Sequence, residues 1–306
     1  MLDGLLVLLK GNTLPIILRY LEGDKQALLS LVSKQLWELV PQCTKSFTIN
    51  SSIIGRTLIV LRKRTSFSNY LEKLRVTSLQ LNFHTHRIIP LIAVHLLEMP
   101  NITTLDLALN TLNNIDNLIT IQRLADAISK LLYLEKLNLG KNDMGKVAGI
   151  FIVKAIGSLS NLKILNLESN NIGPTGAEAL APSLLKMSQL KKLYIGHNQI
   201  STGMDLLSES IAQLSTLEKL DCSSNKINSK HLDFNFLKEL TKLISLDFMW
   251  NPLNLDGAKS LAPVLKYLSQ LEKLDLRFTG ITPEGVKLID DNLPTMKLTV
   301  DMYWSN

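Results

Sequence analysis

Apolar and polar residues recur along this chain in a fixed frame. Leu134, Leu137 and Leu139 are followed by Asn142 and Met144, and the same spacing returns at Leu162, Leu165, Leu167, Asn170 and Ile172. It returns at Leu190, Leu193, Ile195, Asn198 and Ile200, then at Leu217, Leu220, Cys222, Asn225 and Ile227. Leu243, Leu246, Phe248, Asn251 and Leu253 follow, and Leu271, Leu274, Leu276, Thr279 and Ile281 close the run. Upstream, Ile102, Leu105, Leu107, Asn110 and Leu112 fit well, while Val76, Leu79, Leu81 and His84 fit loosely. Copies lie roughly 25 to 32 residues apart, a period that signals a stack of supersecondary units. Counting from the first apolar residue of each copy, positions four and six alternate with polar residues, the period of a half-buried strand. One copy cannot bury its own inward leucines, so each predicted strand must be covered by the next. The Asn at position nine carries one acceptor and two donors, which at a buried turn can satisfy backbone groups of neighbouring coils.

The frame resembles the leucine-rich repeat. Between strands, Gly176 to Leu184 and Gly257 to Leu265 place apolar residues at helical spacing, and Gly285 to Ile289 echoes them. Asn113 to Ile128 reads as an inserted loop plus helix. A helix splays the outer layer more than the strands splay the inner one. The expected fold is therefore α/β, a curved horseshoe resembling the ribonuclease-inhibitor class. Its parallel sheet would line the concave face and its helices the convex face. After Pro294, Met296 to Trp304 fits a last strand whose aromatics cover the open edge of the stack.

Residues 1–75 do not follow the frame, so the expected division is an N-terminal helical module at 1–75 and a repeat array of about eight copies at 76–306. Asp24 can cap a helix whose apolar face runs through Leu28, Leu31, Val32, Leu36 and Leu39 until Pro41 stops it. Pro15 opens a shorter helix before it. Ser46 to Ile54 is β-branched and hydroxyl-rich. The segment from Leu14-Pro15 through Tyr20-Leu21 to Leu31-Val32-Ser33-Lys34 and Trp37 resembles an F-box. Its first helix is about one turn short and Trp37 sits one residue late. The resemblance implies that Leu14, Pro15, Ile17, Leu18, Leu28, Leu31 and Val32 dock a Skp-type adaptor of a cullin ubiquitin ligase. The other reading of the same residues is a cap that seals the first repeat.

Charge sharpens this picture. The 306 residues carry a formal net charge of +6, and the excess is N-terminal: residues 1–100 hold 12 Lys and Arg against 6 Asp and Glu, residues 101–306 hold 21 of each. A neutral array argues against the basic stripe that nucleic-acid binding needs. A basic N-terminus suits an acidic adaptor. Two cysteines give no disulfide framework, which fits a reducing cytoplasm. Cys222 takes an inward frame position and is expected to pack as a small hydrophobe. The apolar start at residues 1–10 lacks a basic flank and a small-residue cleavage site, and no stretch reaches the ~18 apolar residues of a membrane span. Cytoplasmic residence is expected, either in the cell of origin or, after export, in a host cell.

Function is expected on the concave face and at the strand ends. Position three offers Lys219 and Lys273, and position five offers Tyr194, Asp221, Asp247 and Asp275. Lys219–Asp221 and Lys273–Asp275 could pair along one strand, contributing at most about 1 kcal/mol each. Positions seven and eight bring Met249, Trp250, Arg277 and Phe278 together on adjacent coils, with His197 further along. Trp, Tyr and Arg dominate interface energetics, so these residues predict a protein partner. The bland alternative folds Trp250 over its own coil. Catalysis finds no support: there is no phosphate-binding glycine loop and no G-x-S-x-G nucleophile turn. His84 and His86 lack a third ligand, so neither metal nor cofactor is expected. Cys43 is followed by Thr44 and Lys45 and by no acid, so it does not carry the pattern of a catalytic cysteine. The array also resembles Ran GTPase-activating proteins in fold, which by itself implies no activity. The expectation is a non-enzymatic receptor resembling F-box/leucine-rich-repeat proteins, or a free-standing scaffold or inhibitor.

Overall fold

Positions four and six of each frame are buried without exception from Leu105 to Leu276. Between them stands a half-buried residue in every repeat but the last, where Asp275 is buried, so the period of two in the sequence becomes one dry face and one wetter face. The computed structural model describes residues 93–112, 118–228 and 232–293, apart from 95, 98 and 99. It also gives the backbone of three further strands at 46–50, 78–82 and 299–301.

The strands form a single parallel sheet in sequence order: β1 (Ser46–Asn50), β2 (Ser78–Asn82), β3 (Thr104–Asp106), β4 (Lys136–Asn138) and β5 (Ile164–Asn166) come first. β6 (Lys192–Tyr194), β7 (Lys219–Asp221), β8 (Ser245–Asp247), β9 (Lys273–Asp275) and β10 (Thr299–Asp301) follow. Register is constant, with Leu137 opposite Leu165, Leu165 opposite Leu193 and Leu220 opposite Leu246. Frame positions therefore stack into straight rows at about 4.8 Å per step. β1 lies within the residues that the frame leaves out, and it pairs with β2 over five residues. The sheet thus starts upstream of the first legible repeat. β10 supplies the last strand expected after Pro294, and the aromatics at 303 and 304 lie outside the described residues.

Among the described residues, six helices return the chain between strands: α1 (Leu118–Ser129), α2 (Gly145–Ala155), α3 (Gly173–Leu184), α4 (Met204–Ala212), α5 (Asn254–Leu265) and α6 (Pro283–Asp290). One repeat differs, with a 3-10 turn at Phe234–Glu239 where a helix would stand. There Phe234 packs edge-on against Phe248 from the sheet side, ring centroids 5.4 Å apart, and fills the space. The array is the curved leucine-rich-repeat solenoid, its parallel sheet on the concave side and its helices on the convex side.

The position-nine asparagines tie coil to coil. Asn110, Asn142, Asn170, Asn198, Asn225 and Asn251 are fully buried. The Nδ2 of Asn225 donates to the carbonyls of Cys222 in its own coil and Ile195 in the preceding one. Asn142, Asn170, Asn198 and Asn251 repeat this arrangement. In four steps the side-chain carbonyl accepts the main-chain N–H of the preceding Asn. Asn170 differs, for its Oδ1 has no hydrogen-bond partner among the described residues. Cys222 is fully buried in its frame position, and burial pushes its thiol well above the usual range.

Candidate partner-binding surface

Six of the described strands end in the same turn, in which the Asp or Asn at position five accepts a hydrogen bond from the N–H two residues on; β6 has Tyr194 at that position. Asp106 caps Ala108, Asn138 caps Gly140 and Asn166 caps Glu168, while Asp221, Asp247 and Asp275 cap Ser223, Met249 and Arg277. A short Asx side chain closes such a turn better than a longer acid could. The chain then enters the left-handed region at position eight. Leu109, Lys141, Ser169, His197, Ser224, Trp250 and Phe278 all have φ between 52° and 63°. Non-glycine residues meet a steric cost there, of order 1–2 kcal/mol. Main-chain bonds hold the conformation. The N–H of His197 donates to the carbonyl of Ser223 at 2.8 Å, that of Ser224 to Met249 at 2.7 Å and that of Trp250 to Arg277 at 3.0 Å. Position-eight residues thereby line up along the C-terminal rim of the sheet.

At one end of that rim, the Trp250 and Phe278 rings stack with centroids 4.1 Å apart and planes 12° from parallel. Trp250 remains 54% exposed and Phe278 40%. Trp250 therefore covers its neighbour's ring rather than a gap in its own coil. Met249 beside it is half-buried. Arg277 lies against Asp275, its Nε donating to both carboxylate oxygens at 2.9 and 3.1 Å and its Nη2 reaching Oδ2. Asp275 is only 1% exposed, so the guanidinium answers a buried charge.

The intrastrand pairing expected for the lysines is replaced by other contacts. Asp275 takes Arg277, and Asp221 accepts from the hydroxyl and N–H of Ser223 at 2.7 and 3.0 Å. Lys219 instead sets its ammonium 4.9 Å from the Tyr194 ring centroid on the neighbouring strand. Lys273 stays exposed. The physical reason is the turn: a carboxylate already bonded two residues ahead is aimed away from a lysine two residues behind. His197 is exposed on the rim two coils from Trp250, with Ser224 between them. Tyr194 and His197 thus share the surface with the aromatic stack without touching it.

Asp247 differs from its neighbours. It stands in register between Asp221 and Asp275. Burial pushes its carboxyl up to about 6; the N–H of Met249 opposes the shift, Asp221 and Asp275 add to it, and Lys273 opposes it. The sequence row of aspartates held the signal for this crowding, although the capping role that orients them was not visible in it.

Among the described residues no group of three or more His, Cys, Asp or Glu could hold a metal ion. No helix among them is long and apolar enough to cross a membrane. Leu14, Pro15, Ile17, Leu18, Leu28, Leu31 and Val32, expected from the F-box resemblance to dock an adaptor, lie outside the described residues, as do Cys43, His84 and His86.

Residues 158–181, 239–262 and 268–289 match the family profile for the Leucine Rich repeat. Each matched segment holds a strand, its position-nine residue and most of the helix that follows. Among solved structures, the chain is similar to an internalin C2 from Listeria monocytogenes str. 4b F2365. The TM-score is 0.54 and the identity 22%, covering 77% of this chain and 84% of that one. It is also similar to the LRR ectodomain of the Arabidopsis receptor kinase HAESA, solved in complex with an N-terminally extended IDA peptide hormone. There the TM-score is 0.44 and the identity 17%, over 77% of this chain and 40% of that one. No curated protein matches the sequence. The likeness to the internalin is one of fold.

Proposed function

We propose that this chain is a non-enzymatic, protein-binding solenoid that acts in the cytoplasm. Its partner sits on the concave face and the C-terminal rim, with Met249, Trp250, Arg277 and Phe278 at the centre and Tyr194, His197, Lys219, Asp221, Asp247, Lys273 and Asp275 around them. The observation that carries this reading is the exposed Trp250–Phe278 stack. Two large rings held out in water on a left-handed backbone oppose both solvation and local conformation, and a covering partner would relieve the first.

The finer reading is a substrate receptor resembling F-box/leucine-rich-repeat proteins. In it the segment from Leu14 to Trp37 would hold a Skp-type adaptor and the solenoid would present a target to a cullin ubiquitin ligase, in the cell of origin or in a host cell after export. The support is the F-box-like spacing and the basic balance of residues 1–100. The full chain should retain a purified Skp adaptor in a pull-down, and Leu14→Ala with Pro15→Ala should abolish retention. Absence of capture by the unaltered chain would sink the receptor reading. A second reading, a free-standing scaffold or inhibitor, is favoured by a specific observation: β1 pairs in full register with β2, so part of the N-terminal segment continues the sheet. That continuity is what a solenoid cap requires.

A further inference from the structure

We propose that the Trp250–Phe278 platform takes an extended segment of a partner protein that sets an apolar side chain on the two rings and a lysine or arginine against Asp247. The inference deepens the partner-binding reading above and rests on it. The platform alone would accept any apolar group, so the choice of partner chemistry lies with the charges beside it.

Those charges are arranged unequally. Three aspartates stand in register on β7, β8 and β9, about 4.8 Å apart. The carboxylate of Asp275 is engaged by Arg277, and that of Asp221 by the hydroxyl and N–H of Ser223. Among the described residues the Asp247 side chain accepts one hydrogen bond, from the N–H of Met249. It is half-buried, faces Asp221 and Asp275 from the neighbouring strands, and has Lys273 as its opposing charge. A cation placed there would meet the Asp247 carboxylate directly, with a smaller contribution from Asp221 and Asp275, which Ser223 and Arg277 already engage; burial first, and then these two neighbours, raise the Asp247 carboxyl to about 6. An acidic side chain set against Asp247 itself would be repelled. Asp247 and Trp250 belong to the same coil, three residues apart, so one extended segment can span both.

A second consequence follows by linkage. Binding a cation should draw Asp247 into its ionised form, so association should be weaker below the carboxyl's free value. If that value is about 6 and the bound group stays ionised, affinity at pH 5 should be about tenfold below that at pH 7.5.

The test pans a phage-displayed random peptide library against the full chain at pH 7.5, with Trp250→Ala and Asp247→Asn variants in parallel. Asn keeps the acceptor for Met249 N–H, and a thermal melt checks that each variant folds. The expected winners lose at least tenfold on Trp250→Ala, carry Lys or Arg within a few residues of an apolar anchor, and weaken about tenfold on Asp247→Asn. A synthetic winner should weaken about tenfold from pH 7.5 to pH 5 on the unaltered chain, a readout that needs no variant. Winners that depend on Trp250 but hold no basic residue, or whose binding ignores Asp247→Asn and pH, overturn the inference and leave the binding reading standing. A screen with no Trp250-dependent winner overturns both.

Discussion

The main-chain N–H of Asn198 donates to the side-chain carbonyl of Asn225 on the next coil, at 2.9 Å. The same side chain donates to the carbonyls of Ile195 and Cys222 at 2.9 and 3.0 Å. One residue thus satisfies three buried backbone groups on two coils. Asn225→Leu would leave the Asn198 N–H without its acceptor, at ~1 to 3 kcal/mol, and would take one of two donors from each carbonyl, since Asn198 Nδ2 also reaches Ile195 and Asn251 Nδ2 also reaches Cys222. The expected loss is about 2 kcal/mol or more, read as a lower denaturant midpoint in an unfolding titration followed by circular dichroism. A loss below about 1 kcal/mol would contradict the role given to the ladder.

Close approach of neighbouring coils sets a second prediction. A Cβ added at Gly203 would stand 2.8 Å from the Cβ of Ala177, and 2.9 Å from both the Cα and the carbonyl oxygen of Pro174. These are backbone or near-backbone atoms of α3 and cannot rotate away. Gly203→Ala is expected to cost ~1 to 3 kcal/mol through forced separation of the coils. Gly145 offers the contrast, since nothing lies within 4 Å of an added Cβ, although its φ of +66° still disfavours one. Thermal melts of the two variants should rank Gly203→Ala as the more damaging.

The ion pair at β9 is testable by a double-mutant cycle. Arg277→Met leaves the buried Asp275 carboxylate without its guanidinium, with an expected loss of about 2 kcal/mol given that the arginine is partly solvated. Asp275→Asn in the same background should recover much of that loss, because the amide still caps the turn without burying a charge. Denaturant midpoints of the four proteins give the coupling, and additive losses would count against a direct interaction.

Asp247 predicts a pH dependence of stability. Its folded-state value, about 6, lies above the ordinary 3.8, so between these values the folded chain binds more protons than the unfolded one. Stability contributed by this group is therefore full below about 3.8 and falls as pH rises through about 6. Asp247→Asn removes the dependence. The variant should exceed the parent by about 1 to 2 kcal/mol at pH 7.5, allowing for solvent screening of a half-buried group, and match it near pH 4, in unfolding titrations at both pH values. A constant difference across that range would show that the carboxyl titrates normally.

The solenoid was legible because its code is redundant. Leu137, Leu165, Leu193, Leu220, Leu246 and Leu274 mark one row so regularly that register could be read before any coordinates. Helices were legible where their apolar face was narrow. Gly257 to Leu265 reads directly as part of α5, which begins three residues earlier at Asn254. Helix α2 was not legible, because its sequence is apolar nearly all round and leaves Val147 exposed, which blurs the 3.6-residue period. Helix α4 was missed as well, being nine residues long and preceded by a 3-10 turn at Ser201–Gly203. β1 lacks the leucine frame, so nothing in its spacing marked Ser46–Asn50 as a strand of this sheet.

At the candidate surface, sequence placed Trp250 and Phe278 on adjacent coils, and the stack follows from that register. What it could not supply was the direction of the aspartates. An Asp two residues after a Lys reads as an ion pair until the turn beyond it is known, and the Asx bond to Ser223 or Arg277 decides otherwise. The same turn puts position eight into a left-handed backbone, which no side chain there announces.

That left-handed row carries a consequence for how such a surface can change. Leu, Lys, Ser, His, Trp and Phe all occupy it at nearly one φ, because neighbouring main chain, not the residue itself, dictates the bend. The scaffold is indifferent to what it displays at these seven places. Exchanging one side chain for another alters the message at the rim while the coil beneath keeps its shape, so recognition could be rewritten residue by residue without the fold being renegotiated.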